Sequence, residues 1–232
     1  MKVSDVAAES GGPHFGLILA LTINGLAVSQ YPEMVQVSHI AESYGFSSIW
    51  LCDHFLTTSP EDYIQDAGIN SAAEEPSTAG AGADSMPLLE GWTALAALAR
   101  DTTRIRLGTS VLCNSYRHPS VLAKMAATLD VISEGRLELG LGAGWFKREF
   151  EAYGIPFPPA GERVSALGEA LEVMKTIWTE ANPVYAGRFY TLDGAVCDPP
   201  PAQKPHPPLW VGGEGDRVQR IAARSAQGIN VR

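Results

Sequence analysis

Short apolar runs alternate with longer stretches of helical spacing along most of this chain, and that alternation restricts the fold more than any other feature. Strand, helix and strand in repeated order make consecutive strands parallel, because each helix carries the chain back along one face of the sheet. The strand-like runs are His14–Leu21, Ser47–Cys52, Arg104–Cys113, Arg136–Leu141, Leu209–Val211 and Gly228–Val231. Helical spacing predicts helices over Pro32–Tyr44, Pro87–Arg100, Pro119–Ser133, Glu162–Trp178 and Asp216–Ala226, with a short helical piece at Phe146–Tyr153. Val184–Tyr190 reads as a peripheral hairpin, and the proline-rich stretch Pro199–Pro208 leads into the fifth strand. The expectation is an α/β fold, a (β/α)8 TIM barrel. About six strands fall short of the eight that close such a barrel, so residues 1–232 are expected to form a single domain that is truncated at its C-terminal end.

Composition bounds the function. Of the 232 residues 45% are hydrophobic, enough for one sizeable core. No apolar run approaches the roughly 18 residues of a membrane span, and Met1–Asp5 lacks the apolar run of a secretory signal, so a cytoplasmic location is expected. A net charge of −9 argues against nucleic acid as a ligand. The three cysteines, Cys52, Cys113 and Cys197, are far apart and form no CxxC pair, which supports neither a disulfide framework nor a metal site. Cys52 and Cys113 are expected as buried core thiols.

One segment breaks the rhythm. Residues 57–89 hold Glu61, Asp62, Asp66, Glu74, Glu75 and Asp84 with no Lys or Arg, and are rich in Ala, Gly and Ser. This composition predicts a mobile acidic insertion, either a simple disordered one or a lid over a ligand.

Four clusters fall just after predicted strands, which a barrel would gather at one end. Asp53-His54-Phe55 follows the second strand, and Thr109-Ser110-Val111 through Tyr116-Arg117-His118 follows the third. Gly142-Ala143-Gly144-Trp145 follows the fourth and Gly212-Gly213-Glu214-Gly215 the fifth. His54 can give or take a proton near neutral pH, although an isolated Asp-His pair also serves as a cap. Gly212, Gly213 and Gly215 open a helix, so backbone N–H groups could approach a phosphate, or the run could simply turn the chain. Gly142, Ala143 and Gly144 allow a flat ring to pack closely. Tyr153 is either a phosphate contact or a packed ring. Arg117 and Arg163 are either anion contacts or members of surface ion pairs.

The runs SSIWLCDHF, EGWTALAALARDTTRIRLGTSVLCNSYRHPSVLAKMAATLDVISEGRLELGLGAGW, EAYGIPFPPAGER and PHPPLWVGGEG resemble the bacterial luciferase-like monooxygenase superfamily, in particular its coenzyme F420-dependent branch. The resemblance implies a luciferase-like TIM barrel and an oxidoreductase that moves hydride between F420 and a small organic substrate. It also implies a homodimer, since dimers are common in the family. By the same likeness His54 lies beside the deazaflavin ring, Asp53 lies against the ring or orients its neighbour, and Ser110-Val111 takes the place of a bulge with a non-proline cis peptide. The cofactor would then touch Asp53, His54, Ser110, Val111, Gly142, Ala143, Gly144, Trp145, Tyr153, Gly212, Gly213 and Gly215. Trp145 departs from the pattern: some deazaflavin dehydrogenases of this kind carry a glutamate there as a proton donor, and a Trp suits a less polar substrate. An FMN-dependent monooxygenase on the same scaffold is the nearest alternative, and a non-catalytic partner subunit or remnant is another. A phosphosugar isomerase or aldolase barrel would want an acid–base pair or a Schiff-base lysine at a strand end, and no lysine occupies these motif positions.

Overall fold

A computed structural model of the chain describes residues 14–19, 30–56 and 88–231. In chain order the strands are β1 (Gly16–Ile18), β2 (Ser48–Leu51), β3 (Arg106–Thr109), β4 (Leu112–Cys113), β5 (Leu137–Gly142), β6 (Val184–Ala186), β7 (Thr191–Asp193), β8 (Leu209–Gly212) and β9 (Gly228–Asn230). The helices are α1 (Tyr31–Ser43), α2 (Gly91–Asp101), α3 (Pro119–Ile132), α4 (Lys147–Ala152), α5 (Ala160–Thr179) and α6 (Asp216–Ser225). One sheet runs β1-β2-β3-β5-β8-β9, with β4 also paired to β5, and every pairing in it is parallel. The predicted βα rhythm is therefore the sheet order, and β6 and β7 form a separate antiparallel hairpin.

Alternation along the strands assigns the two faces of the sheet. Ile49, Leu51, Leu107, Leu137, Leu139, Leu141, Leu209 and Val211 are buried against the helical layer, where Leu95, Leu98, Leu122, Ala126, Leu167, Leu171 and Met174 meet them. Each such aliphatic side chain contributes roughly 1.5–3 kcal/mol by leaving water. The opposite face carries Trp50, Arg106, Gly108, Glu138, Gly140 and Trp210. Trp50 lies across Gly108, where a Cβ would meet its ring at 2.1 Å, and Trp210 lies across Gly228, where the distance would be 2.3 Å.

The sheet curls toward that second face. Strands β2 and β8 are three positions apart, about 14 Å in a flat sheet, yet the Trp50 and Trp210 rings meet edge to face at 5.4 Å. Asn230 on β9 likewise reaches Ser110, at the end of β3, with its Nδ2 donating to Oγ at 2.8 Å. The result is an incomplete barrel with β1 and β9 as its edges.

Local chemistry explains where the elements differ from the sequence reading. The predicted strand Arg104–Cys113 is broken into β3 and β4. Gly108 pairs with Glu138 and Leu112 with Leu141, so four steps on one strand match three on the other, which is a bulge. Thr109 bridges the break: its hydroxyl donates to Gly140 O at 2.9 Å and accepts from Gly140 N at 2.8 Å. Helix α2 begins at Gly91 rather than Pro87 because Glu90 caps it, accepting from Trp92 N and Thr93 N. The second hairpin strand is Thr191–Asp193, beyond the predicted Tyr190. Cys113 is buried as expected, whereas Cys52 is only half-buried. The acidic segment 57–89 lies outside the described residues apart from Leu88 and Leu89, as do residues 20–21 of the first predicted strand. No described helix is long and apolar enough to cross a membrane.

Candidate active site

Because the strands are parallel, the segments that leave β2, β4, β5 and β8 emerge at one rim. The structure brings the predicted clusters together there through direct contacts. Ser110 N donates to Leu51 O at 2.8 Å, Cys113 N donates to Asp53 Oδ2 at 2.9 Å, and Gly142 pairs with Gly212 in the register of β5 and β8.

The Ser110-Val111 peptide is cis and forms the bulge between β3 and β4. Val111 sinks into a seat made by glycines on the next two strands. A Cβ on Gly142 or Gly212 would stand 2.7 Å from Val111 Cγ2, and one on Gly140 would stand 2.0 Å from Thr109 O. Gly142 and Gly212 thus make room for Val111 in the first instance. Gly144 has a φ of 79°, and its Cβ would also strike Cys113 Sγ at 2.6 Å, so no other residue suits the position. Gly213 has a φ of 137°. Gly215 stands at the N-cap of α6 with open space around it, and no side chain caps that helix. Asn114, just past β4, donates from Nδ2 to Tyr190 OH, and its buried Oδ1 has no hydrogen-bond partner among the described residues.

Asp53 is buried at 4% exposure and fully engaged. Arg117 binds it with two parallel hydrogen bonds, Nη1 to Oδ2 at 2.8 Å and Nη2 to Oδ1 at 2.9 Å, and also binds Glu90 Oε1 at 2.6 Å. Burial opposes the Arg117 charge, but Asp53 and Glu90 outweigh it and push its pKa up. Asp53 therefore ties the end of β2 to the segment after β4, and Arg117 belongs to a partly buried network that joins the buried Asp53 to the half-buried Glu90. Arg163 is also buried. Its guanidinium lies 3.8 Å from the Phe157 ring centroid and donates to the carbonyls of Gly144 and Pro158, which holds the glycine loop in place.

His54 has Nδ1 at 3.2 and 3.1 Å from the two carboxylate oxygens of Glu149. Trp145 stands edge to face against the His54 ring, with centroids 5.6 Å apart, and Phe146 stands at 6.0 Å. Tyr153 is 54% exposed and packs on Phe55 at 4.7 Å, so the structure places it in an aromatic cluster with Phe55 and Tyr116.

Glu149 is the residue that the sequence reading missed. Its carboxylate accepts from Phe55 N at 2.7 Å, Leu56 N at 2.9 Å and Tyr116 OH at 2.7 Å, in addition to the His54 contact. Burial alone would raise its pKa, but His54, the backbone N–H of Leu56 and the Tyr116 hydroxyl hold it below the usual carboxylate range. The available signal was helical phase: Glu149 shares one face of α4 with the buried Phe146 and Phe150. Among the described residues no group of His, Cys, Asp and Glu could hold a metal ion. A groove of about 440 Å³ between α5 and α6, lined by Glu169, Glu172, Arg217 and Arg220 among others, shares none of the rim residues.

Comparison with known proteins shows the family and the fold of the chain. The sequence profile described as luciferase-like monooxygenase matches residues 14–231. An F420-dependent glucose-6-phosphate dehydrogenase of Microbacterium testaceum is 32% identical over 84% of this chain and 51% of its own length. An FMNH2-dependent dimethylsulfone monooxygenase of Pseudomonas putida is 34% identical over 63% of this chain and 40% of its own. The solved structure of an F420-dependent secondary alcohol dehydrogenase in complex with an F420–acetone adduct superposes with a TM-score of 0.73 at 22% identity, covering 94% of this chain and 57% of that one. The chain thus spans about half the length of these proteins.

Proposed function

The chain belongs to the luciferase-like monooxygenase family, and on that footing we propose that it is an oxidoreductase moving hydride between coenzyme F420 and an organic substrate. The observation that carries this reading is His54, held through Nδ1 by a buried carboxylate and set on the same rim as the Ser110-Val111 bulge. The F420-dependent relatives support it.

The residues present fit a flat, phosphorylated ring. The bulge, with Val111 sunk among glycines, would back the ring, and Ala143, Gly144 and Trp145 would flank it. Gly212, Gly213 and Gly215 precede the uncapped amides of α6, a suitable donor set for a phosphate. Asn114 Oδ1, unpartnered among the described residues, supplies an acceptor beside them. When bound, the deazaflavin supplies a carbon that takes up or delivers hydride. His54 would hold or accept a proton on the reacting group of the substrate, while Asp53 and Arg117 keep the β2 and β4 segments in register. Trp145 and Phe146 form an apolar wall beside His54, which excludes water and favours a substrate less polar than a sugar phosphate.

Separate titrations of the purified chain with oxidised F420 and with FMN, followed by cofactor fluorescence, test the proposal. Saturable F420 binding is the expected result. Binding of FMN without F420 would replace it with the second reading, an FMN-dependent monooxygenase, which the Pseudomonas putida relative favours. Binding of neither would point to a non-catalytic subunit.

A further inference from the structure

Glu149 does more than brace a loop. One carboxylate oxygen, Oε1, is committed to the backbone N–H groups of Phe55 and Leu56, at 2.7 and 2.9 Å. The other, Oε2, takes the Tyr116 hydroxyl at 2.7 Å. His54 Nδ1 stands at 3.1 Å from Oε2 and 3.2 Å from Oε1. The Glu149 side chain is only 1% exposed, so water does not compete for these oxygens. An ionised carboxylate has no proton to donate. Two backbone donors and a phenol already point their hydrogens at Glu149, and its depressed pKa keeps it ionised at neutral pH. The hydrogen in the contact with His54 must then sit on Nδ1. A neutral imidazole carries one proton, so Nε2 is left with a lone pair.

We propose that Glu149 is a positioning residue that fixes His54 as its Nδ1–H tautomer and so makes Nε2 a hydrogen-bond acceptor at the rim. The other titratable groups around the pair do not compete for this role. Burial and the bond to Glu149 push the Tyr116 pKa up, so the phenol stays a donor, and burial pushes the Cys113 thiol up to about 12. Asp53 is occupied by Arg117 and Cys113 N. The tautomer follows from these contacts with an ionised Glu149; only its consequence for turnover rests on the F420 reading.

Glu149→Gln gives a specific test. The amide oxygen would stay with Phe55 N and Leu56 N, which turns the NH2 toward Tyr116 and His54 Nδ1. A donor facing Nδ1 forces the proton to Nε2. Long-range ¹H–¹⁵N correlation spectra of the labelled full chain at pH 8, with the His54 signals assigned from a His54→Gln spectrum, report the tautomer directly. The expected results are Nδ1–H in the wild type and in Tyr116→Phe, and Nε2–H in Glu149→Gln. An Nε2–H ring in the wild type, or one carrying both protons, overturns the proposal, and the wild-type spectrum alone decides this even if a variant fails to fold. In F420-coupled turnover, Glu149→Gln should lose about 100-fold in kcat with little change in KM. Failure of the wild type to bind F420 would count against the F420 reading and leave the tautomer assignment standing.

Discussion

At the scale of single residues, His54 and Asp53 stand next to each other and are expected to fail differently. His54→Ala removes a partly exposed ring whose hydrogen bond goes to one buried partner. Turnover with the bound cofactor should fall by about 10²–10⁴, while circular dichroism and the thermal midpoint change little; unchanged turnover would remove His54 from the chemistry. Asp53→Ala leaves Arg117, whose side chain is 14% exposed, with Glu90 as its remaining charge partner among the described residues. That change should cost about 3–5 kcal/mol in a urea titration, and a loss below about 1 kcal/mol would show that the pair does not lock the two segments. Acid stability belongs to this scale too. Glu149 is held below its ordinary pKa in the folded chain, so its contribution is fully present above the unfolded value, near 4.3, and disappears as the pH falls through the lower folded value. Glu42 and Glu90 are lowered in the same direction and add to the slope. Urea midpoints measured from pH 6 down to pH 3 should therefore decline, and decline less steeply in Glu149→Gln. Such pairings are hard to read from the sequence. Arg117 resembles a surface cation there because nothing local announces that Asp53, far away in sequence, will bind both of its terminal nitrogens.

At the scale of elements, the strands and helices are legible because the apolar periodicity is set by burial against the same helical layer throughout. Their ends are less so, since caps and bulges depend on partners far off in the chain. Gly91 is a case in point. It opens α2, where alanine would have the better helix propensity, yet a Cβ there would stand 2.1 Å from the Cys52 carbonyl oxygen. That neighbour is backbone and cannot swing aside. Gly91→Ala should destabilise the fold by roughly 1–3 kcal/mol, read as a lowered denaturation midpoint, and a stabilised variant would show that α2 is free to shift on β2. In the sequence, only family likeness points to the β3–β4 bulge at Ser110-Val111. Its physical support, the Thr109 hydroxyl replacing ladder bonds to Gly140, is visible only when the two strands lie side by side.

At the scale of the whole molecule, the rim is assembled from segments leaving several different strands, so a ligand that bridges them stabilises the entire sheet. F420 at about 100 times its Kd should add about 2.7 kcal/mol, a rise of roughly 2–4 °C in Tm per kcal/mol for a domain of this size. A thermal scan with no shift would mean that the segments do not close on one ligand. On the inner surface of the curl, each indole occupies volume that a neighbouring strand has given up, Trp50 over Gly108 and Trp210 over Gly228. Bulk there is a shared quantity, and neither member of a pair is free to drift alone. Descendants of this sequence should exchange Trp50 for a smaller residue chiefly when Gly108 grows, so that the two positions behave as one heritable character.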